Sequence, residues 1–496
     1  MTNVSQTKTE DYYQERYRPH IHFTPEKMWM NDPNGLVYYE EEYHLFYQYH
    51  PDGKEWGPMH WGHAVSDDLF HWRHLPIALF PDEHGTIFSG SVVVDWKDSS
   101  GFFDGGHGLV ALFTHHKEGL QQQSVAYSGD NGRTWLKYEE NPVIKNPGRA
   151  DFRDPKVFWH KESSRWVMVL ATGRSVMLYQ SVNLRDWSFL QEVGDGWDVT
   201  EGIWECPDLF PLQHKQSGET KWILQIDVND GAYAGGSGGI YFIGEFDGKS
   251  YTLDHNPQDF KWMDYGKDFY AAQSFSDHPQ EGKERIMIAW MSNWQYANVV
   301  PTDPWRSAMS LPRQLELHRI EGEEVLVQTP VCQLDEICSK KTTEKARLVA
   351  AGESWRVTTA ELPLRWQVIL DLTENKRTRL EFFKSEGHSP FQFVIDTEHE
   401  VVFVSRKANE QEPFSNHYPV EVKLPESIKL NGILDLDIIV DRSSVEVYMD
   451  SGKFTITNLV LPETDVHEAI VLKQEKGTVY GVESVVSALT QTLKRV

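Results

Sequence analysis

The chain has 496 residues, long enough for two domains, since one domain holds roughly 100–200 residues and β folds often more. Hydrophobic residues at 40% and charged residues at 25% exclude wholesale disorder. A net charge of −26 makes nucleic acid and anionic lipid poor partners, and no apolar run approaches the roughly 18 residues of a membrane span.

Residues 1–19 are polar and read as a loose arm, without the apolar core of a signal peptide. A cytoplasmic location is the expectation, a removed leader the alternative. Cys206, Cys332 and Cys338 form neither a disulfide framework nor a zinc site. His60/His63 and His115-His116 lack metal-ligand spacing and read as structural, so no metal and no cofactor is expected.

From residue 20 onward, short runs rich in Val, Ile, Tyr, Phe and Trp are bounded by Gly, Asn, Asp and Pro, an all-β pattern. One unit recurs: a short strand, a polar turn, then an aromatic. It spans Trp61–Trp72, Ser124–Trp135 and Val176–Trp187, with a weaker copy at Ile240–Tyr251. The intervals suit four-stranded blades, and residues 20–330 hold about five of them, which predicts a five-bladed β-propeller. Chance recurrence of Asp/Asn-Gly turns before aromatics is the competing account.

Gly235–Gly239 matches G-x-S-x-G literally, but it precedes an apolar β run rather than a helix and reads as a loop. Of the 18 Trp, only Trp355 and Trp366 follow residue 330, which marks a boundary. Residues 331–354 are polar and read as a connector. In 355–496 the alternation of Leu434, Leu436, Ile438 and Val440, and a turn at Asp450-Ser451-Gly452, predict half-buried antiparallel strands and a β-sandwich.

Three segments set a carboxylate among aromatic and turn residues. In Trp29–Gly35, Asp32 precedes Pro33; in Asp151–Val157, Asp154 precedes Pro155; in Trp204–Phe210, Glu205 lies between Trp204 and Cys206. Each has a plainer reading, as a turn, an ion pair or a solvent-facing Glu. If Asp151–Val157 is extended, Arg153 and Asp154 face opposite ways and need not pair. A general acid working near neutral pH needs a raised pKa, which an apolar setting beside Trp204 would favour. In a propeller the innermost strands of different blades meet at one axial funnel, so Asp32, Asp154 and Glu205 can converge. Paired carboxylates in an aromatic-walled site suit glycoside hydrolysis.

Together Trp29–Gly35, Phe152–Pro155 and Trp204–Asp208 resemble glycoside hydrolase family 32, the β-fructofuranosidases: invertases, levanases and inulinases. Phe88-Ser89-Gly90-Ser91, Gln48 and the Trp56-Gly57 pair also fit that pattern, as does Asp441–Val447 in the C-terminal part. The resemblance implies a propeller followed by a sandwich, and exo-acting, retaining hydrolysis of sucrose, fructo-oligosaccharides or fructans. It implies Asp32 as nucleophile, Glu205 as acid/base and Asp154 as transition-state stabiliser. Trp29, Asn31, Gln48, Trp56, Phe88, Ser89, Arg153 and Trp290 would line the fructose subsite. The stretches Trp290–Asn298 and Val300–Leu311 resemble the levanase, exo-inulinase and yeast-type invertase branch more than the sucrose-6-phosphate hydrolases. A fructosyltransferase, a sucrose-6-phosphate hydrolase, an inverting propeller glycosidase and a non-catalytic sugar-binding propeller are the alternatives.

Overall fold

The computed structural model describes residues 12–493 apart from 280–281, 284, 358–361, 386–387, 409–412, 431, 463–465 and 467. Five sheets form blades I–V, each built around four consecutive antiparallel strands, except that Trp305–Arg306, from within blade V, adds a short parallel strand to blade I. Their first strands are Met28–Tyr39, Thr86–Asp95, Arg153–His160, Trp204–Gln213 and Tyr270–Ser274. Each first strand touches the first strand of the next blade, and the fifth touches the first, so these five line the axis. Backbone bonds close the ring: Tyr38 N donates to Ser276 O at 3.0 Å, and Ser276 N to Leu36 O at 2.9 Å.

The repeat is the hairpin between the third and fourth strands of a blade. Asp68 Oδ1 accepts the backbone N–H of Phe70 and His71, Asn183 Oδ1 accepts Arg185 and Asp186, and Asp130 and Asp247 do the same in blades II and IV. These are Asx turns, in which a short side chain stands in for a backbone acceptor. In blades I–III the closing Trp ties the turn down. Its indole N–H donates to the carbonyl of Leu69, Gly132 or Leu184 at 2.9–3.0 Å. All three of those residues have positive φ.

The C-terminal part is two sheets joined by one long strand, Glu468–Leu489, whose first half pairs in one sheet and second half in the other. Gly477, at φ 73°, lies between the halves, where a Cβ would meet Glu374 O at 2.5 Å. Between the sheets lies an apolar core built round Trp355, Trp366, Phe382 and Phe393.

Two expectations are corrected. The supposed connector 331–354 contains Cys338–Glu344 and Arg347–Ala350, both paired with Glu468–Leu489. Their largely exposed edges explain the polar sequence. Residues 1–11 lie outside the described ones, but 12–19 are not loose. Arg18 is fully buried, with its guanidinium 3.9 Å from the Trp305 ring centre and bonded to Thr24 and the carbonyls of Pro25 and Glu26.

Candidate active site

Every axial strand is bulged near its N-terminal end. The register slips between Met30 and Pro33, Ile87 and Gly90, Arg153 and Lys156, Glu205 and Asp208, and Tyr270 and Gln273. A bulge leaves residues outside the ladder and re-aims side chains, which is why bulges gather at active sites. It also accommodates Pro33, Pro155 and Pro207, since proline has no N–H for the ladder and is tolerated at bulges and on edge strands, as these innermost strands are at those positions. Asp154 and Cys206 take positive φ at their bulges, 63° and 46°. Gly90 serves blade II because a Cβ there would lie 2.1 Å from Leu112 O.

The bulges bring the three carboxylates to one end of the axis. Asp32 accepts from Ser89 Oγ at 2.7 Å and Asn31 Nδ2 at 2.9 Å. Asp154 Oδ2 accepts the Cys206 N–H at 3.0 Å, and Cys206 Sγ lies 3.6 Å from Asp32 and 3.8 Å from Asp154. Arg153 donates to Glu205 Oε1 through Nε at 3.1 Å and Nη2 at 2.9 Å. The segment around Asp154 is therefore not extended, and Arg153 Nε sits 3.9 Å from Asp154 Oδ2 on the same side. Arg153 is also held by Asp151 and Gln121.

Burial pushes Asp154 up to about 7; Arg153 opposes this, while Glu205 and Asp32 add to it. Burial also raises Asp32, against the hydrogen bonds from Ser89 and Asn31. For Arg153, burial works against the charge, but Glu205 and Asp154 outweigh it and keep the guanidinium charged. The Cys206 thiol is pushed well up by burial, so it stays neutral beside the two aspartates.

Aromatic residues pack around the site; Trp29 and Trp290 are fully buried, while Phe88, Trp294 and Trp56 are partly exposed. Trp29 donates its indole N–H to Asn31 Oδ1 at 2.7 Å, which orients the amide toward Asp32. Trp29, Trp290 and Trp294 pack within 4.8–6.0 Å of one another. Phe88 stacks on His116 at 4.4 Å and meets Trp56 edge-on at 6.0 Å; Trp56 is 46% exposed and stands at the rim. Gln48 is buried and donates to Asn34 Oδ1 at 2.8 Å, so it braces the turn after Asp32. Trp204 lies elsewhere than expected: it packs in the core between blades III and IV against Trp197 and Phe242.

The residue facing Glu205 in its place is Tyr270, whose hydroxyl donates to Glu205 Oε2. Tyr270 is fully buried, and burial raises its pKa far above the ordinary value. Asp227, opposite Glu205 across the strand pair, is also fully buried; it accepts from Gln225 Nε2 at 2.5 Å and Ala272 N at 3.0 Å. Burial raises Asp227 well above the usual carboxylate range, against the hydrogen bonds from Gln225 and Ala272. Sequence reading missed both.

A ring of bulged strands holding three carboxylates and one arginine in an aromatic funnel defines a glycoside hydrolase. Residues 22–330 match the N-terminal domain of glycosyl hydrolases family 32, and 333–488 match the C-terminal domain of that family. The chain is 48% identical to a levanase of Bacillus subtilis over 91% of this chain and 67% of that protein. It is 38% identical to an extracellular exo-inulinase of Aspergillus ficuum over 92% of each. Its fold superposes on the crystal structure of an exo-inulinase from Aspergillus awamori with a TM-score of 0.89 and 35% identity, covering 97% of this chain and all of that one. A fructofuranosidase from Schwanniomyces occidentalis complexed with fructose gives 0.87 and 31%, over 97% and 100%. The chain belongs to glycosyl hydrolase family 32.

Proposed function

We propose that this enzyme releases terminal β-fructofuranosyl units from sucrose and fructans by a double displacement with retention. The convergence of Asp32, Asp154 and Glu205 on one funnel carries the reading. Asp32, oriented by Ser89 and Asn31, attacks the anomeric carbon. Glu205 protonates the leaving oxygen, then takes a proton from the water that hydrolyses the fructosyl–Asp32 ester. The transition state carries positive charge, which the Asp32 and Asp154 carboxylates stabilise; hydroxyls donated by the bound sugar favour ionised Asp154. Arg153 and Tyr270 hold one oxygen each of Glu205 and fix its direction.

The funnel has a floor, and the floor supports exo action. Below the carboxylates, Ser91 Oγ donates to Pro155 O at 2.8 Å, Lys156 Nζ lies 3.3 Å from Asp208 Oδ2, and Ser274 Oγ donates to Asp208 at 2.6 Å. All four side chains are buried. A polysaccharide cannot thread past them, so only a chain end enters. Incubated with sucrose, inulin and levan, the enzyme is expected to yield free fructose as the main early product from all three. Early oligofructosides with little fructose would overturn the exo reading, and trisaccharides from concentrated sucrose would show transfer to sugar competing with water.

A further inference from the structure

We propose that the end of the propeller opposite the carboxylates carries a second carbohydrate site, which holds the chain of a long fructan while the funnel works on chain ends. The proposal rests on the reading above that fructans are substrates. A cavity of about 930 Å³ opens among the C-terminal ends of the axial strands, at Val93–Lys97 of blade II, Phe158–Glu162 of blade III and Leu209 to Gln213 of blade IV. Asp32, Ser89, Asp154, Glu205 and Tyr270 stand near the N-terminal ends of the same strands. The buried Lys156–Asp208–Ser274 belt separates the two. The cavity is thus not an extension of the funnel, and its size is that of a ligand site, roughly 300–1,000 Å³.

Two tryptophans mark what it holds. Trp96 is 52% exposed and Trp159 38%. Neither is loose. Trp96 donates its indole N–H to Asp277 Oδ1 at 3.0 Å and packs against Tyr39 at 5.7 Å and His107 at 5.1 Å. Trp159 meets Trp166 edge-on at 5.1 Å, and Trp166 is tied to Ser99 Oγ at 2.9 Å. Large indoles braced from behind yet open in front are platforms for the C–H faces of sugars, bound at little cost in side-chain ordering. The lining also carries the carboxylates of Asp95, Glu162, Glu245, Asp247 and Asp277 and the cations of Lys97, Lys161 and Arg285. Asp277 is engaged by Trp96 and Val94, Glu245 by Lys221 and Asp247 by its own turn. Their remaining lone pairs can accept hydroxyls, while Lys97, 5.8 Å from the Trp159 ring centre, offers a donor. Five carboxylates against three cations, on a chain of net charge −26, suit a neutral polyhydroxylated chain better than an anion.

Along the axial strand Arg153–His160, Asp154 and Trp159 stand five residues apart, on the order of 17 Å at about 3.3 Å per residue. One chain can occupy both sites only by passing round the outside of a blade, so sucrose and short oligosaccharides gain nothing from the second site. The test compares Asp32→Asn with Asp32→Asn/Trp96→Ala/Trp159→Ala by electrophoresis in native gels containing levan, inulin or dextran. Levan should retard the parent and dextran should not, and the Trp variant should lose about three- to tenfold in apparent affinity for levan. In the active background, Trp96→Ala/Trp159→Ala should raise KM for long levan by a similar factor and leave kcat and KM on sucrose within about twofold, which also reports an intact fold. If that variant loses sucrose turnover, Trp159→Ala alone decides. Unchanged retardation, or equal retardation by dextran, overturns the second site. A wild-type enzyme that cleaves sucrose but neither levan nor inulin overturns the substrate reading instead.

Discussion

Glu205→Gln is expected to lose about 10²–10⁴-fold of its rate on sucrose, and far less on a fructoside whose leaving group departs without a proton. Only the protonated carboxyl can donate to the sugar oxygen, so the defect follows the leaving group. Gln keeps one acceptor oxygen for Arg153, and its amide N–H can donate to the Tyr270 hydroxyl oxygen, which separates lost acidity from lost position. Asp32→Asn is expected to abolish turnover with the fold unchanged, since an amide cannot form the fructosyl ester. Both Asp32 and Asp154 must be ionised for the chemistry, and burial raises both, Asp154 to about 7. The acid limb of kcat/KM should therefore lie above the ordinary carboxylate range, roughly 4, and it belongs to the coupled pair rather than to either residue. Equal damage by Glu205→Gln on both substrates, an active Asp32→Asn, or an acid limb at ordinary carboxylate pH would each remove part of the assignment.

The propeller was legible because its repeat is local. An Asp or Asn that opens an Asx turn, followed four or five residues later by a Trp that bonds back into the turn, is written in one short stretch of chain. Chance does not reproduce the same indole-to-carbonyl bond at Trp72, Trp135 and Trp187. The connector reading of 331–354 failed for the opposite reason. Strand Cys338–Glu344 pairs with residues 484–489, about 145 positions away, and an exposed strand carries the polar composition of a loop. The arm misled in the same way, because Arg18 is buried by Trp305 and by carbonyls no local pattern announces.

At the site, proline made three of the five bulges visible. Asp32-Pro33, Asp154-Pro155 and Cys206-Pro207 each place a proline at a bulge of an innermost strand, where that strand is the edge of its blade sheet. Blades II and V bulge without proline, at Phe88-Ser89 and Ala271-Ala272, so Tyr270 stood in an unremarkable apolar run. Asp227 was hidden as well, because a buried acid in Leu224–Val228 has no local signature. The Trp204 expectation erred on alternation: its neighbour Glu205 turns to the funnel, so Trp204 turns to the core.

The largest stability effect is expected where the two domains meet. His22 is fully buried between Asp441 Oδ2, 2.8 Å from Nδ1, and Glu446 Oε1, 3.0 Å from Nε2. Glu446 also receives Arg313 of blade V at 2.9 Å, and Arg313 holds Asp264 at 2.9 Å. Burial disfavours the His22 charge, but the two carboxylates override it and carry the imidazole up to about 9. Asp441 and Glu446 fall to about 2, burial being outweighed by His22 for the first and by Arg313 and His22 for the second. The folded histidine thus binds its proton more tightly than the unfolded one, with its ordinary value of 6.5. Its stabilisation is fully present below that value and fades as pH rises toward 9. The carboxylates contribute fully above their ordinary values and lose that contribution as pH falls toward 2. His22→Gln at pH 6 leaves two buried carboxylates facing a neutral amide, with Arg313 still on Glu446. Loss of one partner from a buried ionic cluster costs about 3–5 kcal/mol, read as a lower urea midpoint. The gap between wild type and His22→Gln should narrow steadily from pH 6.5 to 9, where the wild-type imidazole also loses its charge. A gap that stays constant over that interval would mean that shape and hydrogen bonding, rather than the imidazolium charge, hold the propeller to the sandwich.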